Sequence, residues 1–243
     1  MLPFLLVSTR PEEEALDSEY QAYLSASGLD RENLELAEFD LLGLPPIDST
    51  QYAGVFVAGS PYVAAAPDGY VSPTQQRVQG ELRELFTGLL DAGAPILATG
   101  TSMTILAELL GATVTDQYAE YADLIDVELV AEAGEDPIFG ALPKVFLAYT
   151  NHGDAVGELP EGAVRLARAL DTPIQAFRFG DRVYGVQFNP ELDAEAIDSQ
   201  ARAFEDSGDT GFGDVEALIA AGRHSAGKHE GAGVISGFVR RFG

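Results

Sequence analysis

Short buried apolar runs alternate along the chain with amphipathic helical segments, and this alternation constrains the fold most. The apolar runs predict strands at residues 4–8, 34–39, 55–58 and 95–98. Apolar residues recurring every three or four positions predict helices at residues 11–26, 74–92 and 103–110. Strands joined by helices make right-handed crossovers, so we predict a parallel sheet covered by helices on both faces.

The second half has shorter runs separated by Gly, Pro and Asp turns. We predict strands at residues 125–130, 145–148, 164–169, 174–179 and 183–188, which extend the sheet or form a small antiparallel flap. Residues 194–243 are predicted to be mostly helical, with Gly-rich interruptions at 207–214 and 222–233. The expected fold is a three-layer α/β domain with a mostly parallel open sheet. It spans residues 1–243, with 1–192 as core and 193–243 as a helical C-terminal extension.

The charge balance is strongly acidic, with 39 acidic residues against 14 basic ones and a formal charge of −25. Such a surface repels nucleic acid phosphates and anionic lipids, so we expect neither as a partner. No apolar run approaches the roughly 18 residues of a membrane span, and residues 1–7 lack the basic lead of a signal peptide. We therefore expect a cytoplasmic protein.

The chain contains no cysteine. Disulfides, thiolate metal sites and catalysis by a cysteine nucleophile are therefore excluded. His224, His229 and Glu230 are candidates for a metal site, but a separation of five residues places the two imidazoles on different faces of a helix. We expect no metal and no cofactor.

Three separated segments follow predicted strands, where the carboxyl ends of an open α/β sheet bind ligands. They are Gly59-Ser60-Pro61, the turn around Gly100, and Gln187-Phe188-Asn189-Pro190-Glu191. In this order they resemble the class I glutamine amidotransferases. That family carries a glycine-rich loop that supplies part of the oxyanion hole, a Gly-x-Cys-x-Gly nucleophile turn, and a Phe-His-Pro-Glu segment.

The resemblance covers residues 4–192 and is greatest to stand-alone members related to the glutaminase part of GMP synthase. Gly100 stands at the position of the family's catalytic cysteine, Asn189 at that of its histidine and Glu191 at that of its glutamate. Residues 151–154 are similar to a non-catalytic segment of the family. By the same resemblance, Tyr118, Tyr121 and Asp123 belong to a loop bordering the pocket.

The resemblance therefore implies a degenerate catalytic triad. Gly100 has no side chain to attack an amide, and the Asn189 amide cannot accept and return a proton near neutral pH. We predict a protein inactive as a glutaminase that acts by binding a ligand or a protein partner. Backbone amides of Gly59, Ser60 and Thr101 are candidates to bind a small carboxylate or amide such as glutamine, because oxyanion donors are main-chain groups.

One alternative is an amide hydrolase or transferase with a replacement hydroxyl nucleophile such as Ser102. A serine elbow has glycine two residues after the serine, where this chain has Thr104. The hydroxyl would also need a base, and the chain offers only His152, His224 and His229.

The acidic surface is a solubilising coat, an adaptation to salt or a contact for a basic partner, and salt titration tests the second of these. Salt adaptation predicts that the midpoint of thermal unfolding rises steeply from low to molar KCl, because ions screen the repulsion between carboxylates. A flat midpoint over this range would exclude salt adaptation.

Overall fold

A computed structural model describes residues 2–39, 43–62, 71–193 and 230–243, and the single residues 197, 216 and 220. The described strands are β1 (Phe4–Ser8), β2 (Leu34–Glu38), β3 (Val55–Val57), β4 (Ile96–Thr99), β5 (Thr113–Thr115), β6 (Glu120–Leu129), β7 (Val145–His152), β8 (Ala155–Glu158), β9 (Ala163–Arg168), β10 (Ala176–Phe179) and β11 (Val183–Val186). The described helices are α1 (Glu13–Ser27), α2 (Pro73–Asp91), α3 (Ser102–Leu109) and α4 (Ala232–Phe242).

Nine strands form one sheet in the order β2-β1-β3-β4-β11-β10-β9-β6-β7, and β5 pairs with β8 in a small second sheet. The first five strands of that order pair in parallel, and the remaining pairings are antiparallel. The predicted α/β fold, including its small antiparallel element, is confirmed. The large sheet is more mixed than expected, since β6, β7, β9 and β10 pair antiparallel, as strands do when no helical crossover joins them.

Side chains of the parallel strands alternate between two cores, one on each face of the sheet. Phe4 and Leu6 face one core, which also contains Tyr23 of α1 and Phe238 of α4. The intervening residues of β1 face the other core, where α2 and α3 pack. Both faces are buried, as expected for parallel strands covered by helices on each side.

The last helix, α4, contributes to the first of these cores. The fully buried ring of Phe238 lies 5.3 Å from Phe56, 6.1 Å from Phe4 and 6.4 Å from Tyr184, measured between ring centroids. α4 is the described part of the predicted helical extension. Apart from the single residues 197, 216 and 220, the other predicted helical segments after residue 193 lie outside the described residues, as does the interruption at 207–214. The boundary at residue 192 stays a prediction.

The long hairpin of β6 and β7 begins earlier than the sequence indicates. Glu120 already pairs with His152, so Tyr121 and Asp123 lie in β6, and their expected placement in a loop is wrong. Pairing with β7 overrides the local sequence, which has no apolar run before Leu124.

None of the described helices is long and apolar enough to cross a membrane.

Gly185 marks tight packing between β11 and its neighbours. A Cβ at this position would lie 2.5 Å from Cε1 of Phe177 and 2.9 Å from Cγ of Met103. We expect Gly185→Ala to lower the free energy of unfolding by about 1–3 kcal/mol through overpacking. Urea unfolding followed by circular dichroism measures this change.

Gly80→Ala in α2 is the matched control, because a Cβ there meets nothing within 4 Å. We expect it to raise the free energy of unfolding by up to about 1 kcal/mol, since alanine is the better helix former. Equal stability of Gly185→Ala and the native protein would contradict the tight packing at β11.

Candidate functional site

The turn between β4 and α3 is the centre of the candidate site. β4 ends at Thr99, Gly100 has φ +54°, and α3 begins at Ser102. A positive φ is the left-handed conformation that glycine adopts without steric penalty. The strand-turn-helix elbow predicted from the sequence is therefore present, with no side chain at its apex.

The segment after β11 leaves the sheet beside this turn. β11 pairs in parallel with β4, and Val186 lies opposite Thr99. The backbone N–H of Asn189 donates to the carbonyl of Tyr149 at 2.8 Å, which joins the segment to β7. Parallel pairing on one side and this bridge on the other bring Asn189 next to Gly100.

We call the space between Gly59, Gly100 and Asn189 the hollow. A Cβ added to Gly100 would lie 2.7 Å from Oδ1 of Asn189 and 3.4 Å from Cα of Gly59. A Cβ added to Gly59 would lie 3.6 Å from the same oxygen and 3.7 Å from the backbone nitrogen of Thr101. The Asn189 amide thus reaches the place where a nucleophile side chain would leave the turn.

Thr101 and Ser60 join the two loops that border the hollow. The Thr101 hydroxyl accepts from the backbone N–H of Ser60 and donates to the Ser60 carbonyl, each at 2.8 Å. The Ser60 hydroxyl accepts from the Thr9 hydroxyl at 2.9 Å. Of the three backbone amides expected to bind an anion, that of Ser60 is therefore already hydrogen-bonded within the protein.

Ser102, the candidate replacement nucleophile, is fully buried. Its hydroxyl donates to the carbonyl of Ala58 at 2.6 Å. No described histidine hydrogen-bonds to it, and His224 and His229 lie outside the described residues. A reaction at Ser102 would first have to break the bond to Ala58.

His152 is held in a separate buried cluster around Glu120. Oε2 of Glu120 lies 3.0 Å from Nε2 of His152 and accepts from Gln175 at 2.7 Å and from Thr150 at 3.2 Å. Burial raises the pKa of Glu120, but the hydrogen bonds from His152, Thr172 and Gln175 outweigh it and hold the pKa below its usual value. The cluster ties β6 and β7 to the start of β10, which agrees with a structural role for this segment.

Glu191, which the family resemblance places at the position of the family's glutamate, is buried, and its Oε2 has no hydrogen-bond partner among the described residues. Burial raises its pKa to about 8, and the negative charge of Glu19 adds to the effect, while Arg10 opposes it. At neutral pH the carboxyl is therefore mainly protonated. A protonated acid is a poor partner for orienting a histidine, and the chain has no histidine there.

The polar residues that surround Glu191 were not predicted from the sequence. Glu19 is fully buried, where it accepts from Ser8 at 2.5 Å and from Nε of Arg10 at 2.9 Å. The Tyr23 hydroxyl hydrogen-bonds to Thr99, the residue before Gly100, at 2.7 Å. A signal for Glu19 was present, because it shares a helical face with the buried apolar residues of α1.

The raised pKa of Glu191 makes stability depend on pH. Below about pH 4.5 the carboxyl is protonated in both folded and unfolded chains, and its stabilising effect is fully present. As pH rises through the folded pKa of about 8 this contribution is lost, because the unfolded chain ionises first. We expect Glu191→Gln to become increasingly more stable than the native protein between these values, measured by thermal unfolding.

Glu161→Gln, at an exposed glutamate, is the control and should follow the native pH profile. Parallel pH profiles for the native protein and Glu191→Gln would contradict the assignment of a protonated Glu191.

Comparisons with known proteins point to one family. Residues 36–203, more than half of the chain, match the family described as glutamine amidotransferase class-I. The chain is 35% identical to the GMP synthase [glutamine-hydrolyzing] of Thermobifida fusca over 107 residues, 43% of this chain and 20% of that protein. It is 33% identical to the GMP synthase [glutamine-hydrolyzing] of Thermomicrobium roseum over 140 residues, 57% of this chain and 23% of that protein.

Both alignments thus span less than a quarter of the curated relative, whereas solved structures match over the whole chain. A glutamine amidotransferase of Thermotoga maritima superposes with a TM-score of 0.74 at 18% identity, covering 100% of this chain and 98% of the other. One from Methylobacillus flagellatus gives a TM-score of 0.66 at 15% identity, covering 100% and 96%. The structural likeness shows the fold, and together with the match over residues 36–203 it establishes that the chain belongs to the class I glutamine amidotransferase family.

Proposed function

We propose that this protein is a class I amidotransferase-like protein without glutaminase activity, which acts by binding. The observation that carries the proposal is the geometry at Gly100, where the Asn189 amide oxygen lies 2.7 Å from the position of a Cβ. A cysteine at this turn would need that space for its side chain. The turn is present, and the groups that would perform the chemistry are not.

Three positions lack the chemical groups that glutamine hydrolysis by the family's triad needs. Gly100 offers no nucleophile, and Asn189 cannot act as a general base, because its amide does not take up a proton near neutral pH. Glu191 is mainly protonated at neutral pH, since burial and the nearby charge of Glu19 raise its pKa to about 8. The chain therefore lacks the groups needed to attack the amide, to transfer the proton and to orient the base.

Two kinds of binding remain within the proposal. The hollow would take a small carboxylate or amide such as glutamine through the backbone amides of Gly59 and Thr101, because main-chain donors do not depend on the lost side chains. The acidic surface, with a formal charge of −25, would contact a basic protein partner in the cytoplasm. The hydrogen bond from the Ser60 backbone N–H to the Thr101 hydroxyl removes one donor from the hollow. It therefore favours binding of a protein partner over binding of a small ligand in the hollow.

An assay for ammonia release from L-glutamine tests the loss of glutaminase activity. Losing both the nucleophile and its base lowers turnover about 10⁶-fold in a comparable triad, so we expect no release above the uncatalysed rate. An amidotransferase with an intact triad serves as the positive control.

Ser102→Ala is the diagnostic variant, since it removes the candidate replacement nucleophile. We expect it to behave as the native protein does in this assay. Ammonia release by the native protein that Ser102→Ala abolishes would overturn the proposal and establish a hydroxyl nucleophile instead.

A further inference from the structure

The side chain of Asn189 ends in a primary amide, the same group that ends the side chain of glutamine. In this structure its oxygen lies against the two glycines of the hollow, 2.7 Å from a Cβ position on Gly100 and 3.6 Å from one on Gly59. Real Cβ atoms essentially never come within 3.0 Å of another non-bonded heavy atom. The Asn189 amide and a ligand atom near that Cβ position therefore exclude each other.

The backbone of Asn189 is held on both sides. Its N–H donates to the carbonyl of Tyr149 at 2.8 Å, and Phe188, the preceding residue, is fully buried. Pro190 follows and restricts the backbone of Asn189. Rotation of the Asn189 side chain is therefore the smallest movement that would vacate the hollow.

The two loops that border the hollow pack closely around the Asn189 amide. Cα of Gly59 comes within 3.4 Å of the Cβ position on Gly100, so the two loops pack directly against each other. The paired hydrogen bonds between Thr101 and Ser60 join the same loops. Glycine at both 59 and 100 leaves the space that the Asn189 amide enters, which links the change at position 100 to the change at position 189.

We infer that the Asn189 side chain occupies the hollow, so that a small primary amide or carboxylate binds there only when this side chain is removed or turned away. This inference rests on the proposed function. The hollow is then a latent binding site in the native protein. Its ligand class follows from the group that fills it. In the native protein, a partner would then bind to the surface and not in the hollow.

Calorimetric titration with L-glutamine, and separately with L-glutamate, tests the latent site. The native protein must first move Asn189, so its apparent affinity is reduced by the fraction of molecules with the hollow open. We expect Asn189→Ala to bind at least one of the two with a Kd lower than that of the native protein by about tenfold or more. Asn189→Ser is a second variant in case the first folds poorly.

Asn33→Ala is the control for removal of a carboxamide elsewhere. The Asn33 side chain donates to the carboxylate of Asp30 at the protein surface. It should bind as the native protein does. Equal Kd values for the native protein and both Asn189 variants would overturn the inference, as would the absence of binding by all of them.

A double-mutant cycle measures the contact itself. Gly100→Ala places a Cβ 2.7 Å from the Asn189 amide oxygen and also strains a residue with φ +54°. The backbone strain is the same with and without Asn189, so it cancels in the cycle. We expect the fall in Tm caused by Gly100→Ala to be about 2–4 °C smaller in the Asn189→Ala background. Additive changes in Tm would overturn the contact.

These outcomes are independent of the test of the proposed function. Ammonia release by the native protein would overturn the loss of glutaminase activity, whereas the titrations and the cycle report only on occupancy of the hollow. A native protein that binds glutamine tightly without hydrolysing it would keep the proposed function and reject the internal occupant.

Discussion

Parallel pairing of β4 with β3 on one side and β11 on the other is the constraint on which the candidate site depends. Ala98 lies opposite Val57, and Thr99 lies opposite Val186, so three strands end at one level of the sheet. The segments that follow must share a small space, and they do so because Gly59 and Gly100 carry no side chains. The hollow is a consequence of this strand register.

The residues at positions 100 and 189 are connected through this space. With glycine at position 100, the Asn189 amide can approach the turn, and with asparagine at position 189 no imidazole is available to pair with Glu191. The carboxyl of Glu191 lies buried with one oxygen unpaired among the described residues, and burial together with the negative charge of Glu19 raises its pKa to about 8. Burial without a partner favours the neutral acid, because the charged form loses its hydration.

Local sequence predicted every strand of the large sheet, but it missed the small second sheet and the early start of β6. α2 has apolar residues at helical spacing, and Ser72 and Gln75 form the capping box that begins it, so its bounds could be predicted from residues 72–92 alone. β5 and β8 are three and four residues long and were not predicted, since so few residues carry no clear alternation. The early start of β6 at Glu120 depends on its pairing with His152, thirty-two positions away, which local patterns do not report.

The sequence by itself determined the chemistry that this protein lacks. It has no cysteine, and glycine and asparagine occupy the positions that the family resemblance gives to nucleophile and base. Tertiary structure decided what took their place: the Asn189 amide reaches the apex of the turn, the Ser102 hydroxyl bonds to Ala58, and the charges of Arg10 and Glu19 act on Glu191. The physical reason is that a missing side chain can be recognised from the sequence alone. Which group fills the resulting space depends on contacts between residues that are far apart in the chain.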